Sequence, residues 1–201
     1  MAIPAPYQHV VWSSNGNNEG TGGNDWLLQL PNATGAGNCM VLKFYVASSA
    51  TLTSIKGYSD RAGANLVETW STTPVETITD SGNSVKLVVF VQPNSLGGVL
   101  SLEVVFTGKV LGFHPCYQEW YNIATSSPVD GSSAATVSIG STSGSIASGS
   151  FNTTDNGDLI LQFIQDDDWQ DAGFCGETDG LTTMTEVQSR TIQASLEGTD
   201  V

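Results

Sequence analysis

The stretch Val85–Gln92 (VKLVVFVQ) decides the fold class. Its side chains fall into two rows at period two: Val85, Leu87, Val89 and Val91 on one, and Val88 and Phe90, between Lys86 and Gln92, on the other. That alternation belongs to a β-strand, and apolar residues in both rows mark a strand covered on both faces. The same period runs through residues 40–47 (MVLKFYVA) and 99–107 (VLSLEVVFT), and no comparable stretch has helical spacing. Met40, Leu42, Phe44 and Val46 form one inward row, Leu100, Leu102, Val104 and Phe106 another, and Leu159, Leu161 and Phe163 a further one. Rows of this kind suit two facing sheets. The chain is therefore predicted to be all-β, an antiparallel two-sheet β-sandwich of jelly-roll or Ig-like type.

Working outward, strand candidates fall near 7–14, 26–30, 39–47, 51–58, 65–70, 75–79, 85–92, 99–107, 110–121, 134–139, 145–151, 158–165, 183–188 and 191–196. Gly, Asn, Asp and Pro separate them. In Ser59-Asp60-Arg61-Ala62-Gly63, the Asp is expected to bond the backbone and the Gly to take positive φ. Asp80-Ser81-Gly82-Asn83 is expected to do the same before Val85. Residues 124–150 turn to Ser, Thr, Gly and Ala, which reads as short edge strands and a long loop. A length of 201 residues fits one sandwich, so residues 1–201 read as a single domain with an extended N-terminal segment, 1–25.

Charge narrows the partners. Six basic residues against twenty acidic ones give a formal charge of −14, and the basic residues are scattered. Such a surface repels phosphate backbones, so nucleic acid is not an expected partner. No run approaches the roughly 20 apolar residues of a membrane helix, and a soluble protein without membrane insertion is expected. The start, MAIPAPYQHVVWSS, has neither a basic region nor an apolar run of secretory type: either a leader has been removed or the protein is assembled inside a cell. The cysteines, Cys39, Cys116 and Cys175, permit one disulfide or none.

The order AGNCMVLKFYVA, YSDRAGANLVETW, VLSLEVVFTG, YQEWYNIATSSPVDGSSAAT and NTTDNGDLILQF resembles an uncharacterised β-sandwich domain of bacterial surface and phage-associated structural proteins. The resemblance spans about residues 37–163 and implies a jelly-roll or concanavalin-like sandwich without catalytic residues to carry over. Such domains usually finish with a further hydrophobic strand, whereas this sequence ends Ser195-Leu196-Glu197-Gly198-Thr199-Asp200-Val201. A missing strand would leave an open sheet edge able to pair with another chain. The donor would be residues 3–14, with His9, Val10, Val11 and Trp12; pairing within its own sandwich is the simpler expectation.

The sharpest candidate site is acidic. Asp166, Asp167, Asp168 and Asp171, followed by Glu177 and Asp179 among glycines, offer the oxygen ligands that calcium takes six to eight at a time. A solvated acidic loop is the simpler reading, and no other cofactor is implied. Trp169 and Phe174 in the same stretch offer faces on which a sugar ring stacks, whereas Trp70 and Trp120 at strand parity are expected in the core. Glu103 and Glu119 resemble a glycosidase pair only in residue type and are expected at a rim or in solvent. Neither His9 nor His114 belongs to a recognised nucleophile motif. The expectation is a non-enzymatic subunit of a virion (a phage decoration, tail or fibre protein) or of an extracellular or cell-surface filament. Its partners would be copies of itself or other particle proteins. The alternative is a carbohydrate-binding, lectin-like module with glycans as ligands, assisted by calcium.

Overall fold

A computed structural model describes residues 4–12, 24–82, 84–108, 110, 113–132, 159, 161, 190–192 and 198–200. The strands are β1 (Ala5–Val11), β2 (Asp25–Gln29), β3 (Cys39–Ala47), β4 (Leu52–Tyr58), β5 (Leu66–Thr69), β6 (Glu76–Asp80), β7 (Val85–Gln92), β8 (Ser101–Phe106), β9 (His114–Tyr121), β10 (Arg190–Ile192) and β11 (Gly198–Asp200). No helix occurs among the described residues. Candidates 134–139, 145–151 and 183–188, and 158–165 apart from Leu159 and Leu161, lie outside them.

Two antiparallel sheets pack face to face, one ordered β1-β9-β3-β7-β6 and the other β2-β8-β4-β5. β10 and β11 pair with each other as a separate ribbon. The pairing has a simple logic: β1 joins β9, β2 joins β8, β3 joins β7 and β4 joins β5, with successive pairs alternating between the sheets until β6 adds a hairpin onto β7. That wrapped, doubled ribbon is the jelly roll, so the topology decides between the two sandwich types.

The core between the sheets is built from the expected rows, except that Leu100 is only half-buried and Val99 lies in the core instead. Met40, Leu42, Phe44 and Val46 of β3 face Leu102, Val104 and Phe106 of β8, closed by Trp26, Leu28, Ile55, Trp70, Val88, Phe90, Phe113 and Tyr117. Phe44 stacks on Phe90 at 5.3 Å between ring centroids and meets Phe106 at 5.7 Å and Phe113 at 5.1 Å.

The larger sheet is covered on its other face as well. Cys39, Val41, Val89 and Trp120 form a second apolar cluster there, and Leu159 and Leu161 pack on it. This corrects one expectation: Leu159 and Leu161 belong to the cover over the outer face, not to the core between the sheets. It also explains why all of β3 but its last residue is buried. Strand parity identifies a row but not which layer closes over it.

The Asp60 turn forms as expected; in the Asp80 turn the carboxylate bonds the backbone, but Gly82 does not take positive φ, which falls on Ser84 at 58° instead. Asp60 accepts hydrogen bonds from the N–H groups of Ala62 (2.8 Å), Ala64 (3.2 Å) and Asn65 (2.7 Å) and from Asn65 Nδ2 (3.0 Å), while Gly63 takes φ +70°. Gly82 N–H donates to Asp80 Oδ1 at 2.8 Å. The donors around Asp60, the Asn65 N–H foremost, hold its carboxyl below the usual carboxylate range. A carboxyl lowered by folding adds stability that is present above its unfolded pKa of about 4 and lost as pH falls through the folded value. Melting followed from neutral to strongly acidic pH should therefore show a smaller acid-induced loss in Asp60→Ala than in wild type. Parallel curves would remove Asp60 as the organiser of this turn.

Candidate functional site

One end of the sandwich, where β3 and β8 begin and β9 finishes, concentrates the buried polar chemistry of the described residues. Glu119, fully buried on the core side of β9, accepts four hydrogen bonds. Gly35 N–H (2.8 Å) and Asn38 Nδ2 (2.6 Å) reach Oε1; Gln8 Nε2 (2.7 Å) and the Tyr117 hydroxyl (3.0 Å) reach Oε2. Gln8 also grips the backbone of Asn32, accepting its N–H and donating to its C=O, both at 3.0 Å. One carboxylate thus ties β1, the β2–β3 loop and β9 together. Burial, and then the neighbouring Glu119, push the Tyr117 hydroxyl well above its ordinary pKa, keeping it a donor.

A second buried acid acts beside it. Glu68 of β5 accepts the Trp70 indole N–H at Oε1 and the Leu96 backbone N–H at Oε2, each at 3.0 Å. The loop that Leu96 occupies is pinned further. Ser95 N–H donates to Asn38 O (2.8 Å), Gly98 N–H to Thr34 O (2.8 Å), and Val99 N–H to Thr34 Oγ1 (3.0 Å). Gly97 takes φ +82°, and a Cβ on it would stand 2.8 Å from Ala36 N, so only glycine fits this approach.

Among polar neighbours such as Asn65, Asn94 and Asn122, three large apolar side chains are exposed at this end. Leu96 is 65% exposed, Leu66 at the start of β5 is 57% exposed, and Tyr121 at the end of β9 is 40% exposed. Tyr121 meets the ring of Tyr7 edge-on at 5.1 Å, and Tyr7 donates its hydroxyl to Ala33 O. At the opposite end a shallow cavity of about 270 Å³ is lined by Ala47, Ala50, Thr51, Thr107 and Val110 among others. Lys86 Nζ donates to Ala50 O there at 2.6 Å.

Glu119 corrects the expectation of a rim or solvent position, because its i−2 neighbour Tyr117 carries it into the core. Glu103 lies in the other sheet, bridged to Lys56 at 3.4 Å and accepting the Tyr58 hydroxyl at 2.9 Å. The two glutamates share no cleft, and the oxygens of Glu119 are occupied by protein donors. Glu68 went unremarked in the sequence, although its parity with the inward Trp70 was the available signal.

Of the segment 3–14, Ala5–Val11 form β1, paired with β9 of the same chain: His9 stands opposite Gln118, Val10 opposite Tyr117 and Val11 opposite Cys116, while residues 3, 13 and 14 lie outside the described residues. Val10 and Trp12 pack against the core. β1 is outermost in its sheet order. The acidic residues Asp166, Asp167, Asp168, Asp171, Glu177 and Asp179, and the aromatics Trp169 and Phe174, lie outside the described residues. Trp26 and Trp70 are buried in the core between the sheets and Trp120 in the outer-face cluster, and burial was expected for the latter two. Among the described residues no three His, Cys, Asp or Glu side chains gather as metal ligands.

Cys39 and Cys116 are buried thiols, outside any disulfide, on the outer face of the larger sheet. Cys39 pairs with Trp120, four residues along β9 from Cys116. At ~3.4 Å per residue that is about 14 Å, beyond disulfide reach.

Comparison with known proteins found no matching family model, no matching curated protein and no matching solved structure.

Proposed function

We propose that this protein is a non-enzymatic structural subunit of a virion or an extracellular surface filament, and that its copies contact one another through the Leu66–Leu96–Tyr121 end. One observation carries the reading: large apolar side chains stand exposed on an end whose backbone is held by two buried glutamates. Ordering an interface before contact lowers the entropy lost on association. A single exposed leucine is ordinary, whereas several gathered on one rigid end suit an interaction surface. The cavity at the other end offers a receptor for that surface, and contact between unlike ends repeats head to tail and builds filaments or rings. Jelly rolls also serve as lectins and as other modules, so the fold adds only association.

Multi-angle light scattering over a concentration series tests this. Wild type should grow in mass with concentration, and Leu66→Asp with Leu96→Asp should stay monomeric while keeping the wild-type melting temperature. A wild type that is monomeric at high micromolar concentration overturns the proposal.

A further inference from the structure

The outer face of the larger sheet holds a lysine and a cysteine side by side in an unusual place. Lys43 of β3 and Cys116 of β9 are direct register partners in the antiparallel pair, and each is only 1% exposed. Side chains opposite one another in such a pair have Cβ atoms about 5 Å apart, and the charge of Cys116 acts on the Lys43 amine. Their surroundings include Val41 and Val89. A buried thiol in apolar surroundings is normally inert, but an ammonium beside it favours the thiolate, the form that reacts. Burial lowers the Lys43 amine to about 8, against which the attraction of Cys116 acts in the opposite sense. The amine is therefore substantially unprotonated at mildly alkaline pH.

We propose that Lys43 and Cys116 are an oxidation site at which hydrogen peroxide produces a covalent sulfenamide cross-link between β3 and β9. Peroxide first oxidises the Cys116 thiolate to a sulfenic acid: an S–O bond forms, the peroxide O–O bond breaks, and the other oxygen leaves as water. The neutral Lys43 amine then attacks that sulfur. An N–S bond forms, the S–O bond breaks, and hydroxide leaves with the amine proton as a second water. Sulfur is oxidised and one peroxide is reduced, with no other reactant. Cys39 is an internal control on the same face. Its register partner is Trp120 rather than an amine, and burial pushes its thiol up to about 12.

The test treats the folded full-length protein with millimolar peroxide for hours at mildly alkaline pH, blocks free thiols, and maps peptides by mass spectrometry. The expected product links the Lys43 peptide to the Cys116 peptide with a loss of about 2 Da, one hydrogen from each partner, and is reversed by a thiol reductant. Lys43→Arg keeps a cation but no nucleophilic amine, and should convert Cys116 to higher oxidation states without a link. Recovery of wild-type Cys116 as the free thiol, as sulfinic or sulfonic acid beside a free Lys43, or in a disulfide with Cys175 overturns the proposal. The wild-type map decides even if the variant folds poorly, and it is independent of any assembly of the protein.

Discussion

Replacing Glu119 with alanine should destabilise the protein by about 3–5 kcal/mol, since each buried donor left without an acceptor costs about 1–3 kcal/mol. Four donors lose their partner at once: Gly35 N–H, Asn38 Nδ2, Gln8 Nε2 and the Tyr117 hydroxyl. The lower end of the range allows for water entering the vacated space and satisfying some of them. Glu119→Gln should cost less, because it keeps one oxygen but turns an NH₂ toward two groups that both donate. The loss should also be local in character. Gln8 is the side chain through which β1 reaches Glu119, so amide exchange in β1 should accelerate more than exchange in β7, which the carboxylate does not touch. Denaturant unfolding with hydrogen exchange reads both effects. A Glu119→Ala variant within about 1 kcal/mol of wild type would show that these bonds are replaceable by solvent.

The strands from residue 5 to residue 121 were legible in the sequence because period-two rows and Asx–Gly turns are local signals. β3, β7 and the turn at Asp60 form where they were read. The wrap was not legible, since the pairing of β1 with β9 and of β2 with β8 is long-range and nothing in either strand names its partner. For the same reason the row Leu159–Leu161 was assigned to the wrong side of the larger sheet. The two buried glutamates were hidden by chemistry rather than distance. A carboxylate reads as solvent-facing until its donors are known, and those of Glu119 come from residues 8, 35, 38 and 117. The apolar end was equally illegible: Leu66 and Leu96 are ordinary leucines until the fold leaves them uncovered, one at the start of β5 and the other on the loop after β7. The acidic stretch, which was the strongest site signal in the sequence, is not among the described residues, so the candidate site rests on side chains that composition did not single out.

Phe44→Ala should cost about 3–5 kcal/mol, the usual range for truncating a buried aromatic ring. The reason lies in what the ring joins. Phe44 comes from β3 in the larger sheet, stacks on Phe90 of β7 in that sheet, and meets Phe106 of β8 in the facing sheet and Phe113 of the segment leading into β9. Phe106 and Phe113 also touch each other at 5.5 Å, so removing Phe44 opens a cavity lined by rings that already brace one another and cannot collapse fully. Phe44→Leu keeps much of the volume and should lose clearly less. The double variant with Glu119→Ala separates the two devices. Met40, not Phe44, is the β3 partner of Glu119, and the four-residue step from Met40 to Phe44 sets the sites about 14 Å apart. Their costs should therefore add to within about 0.5 kcal/mol in a denaturant-unfolding cycle. Coupling well above that value would mean that the polar end and the aromatic centre form one cooperative unit. Additivity would mean that the end can be redesigned, for example at Leu66 and Leu96, without loosening the sandwich that carries it.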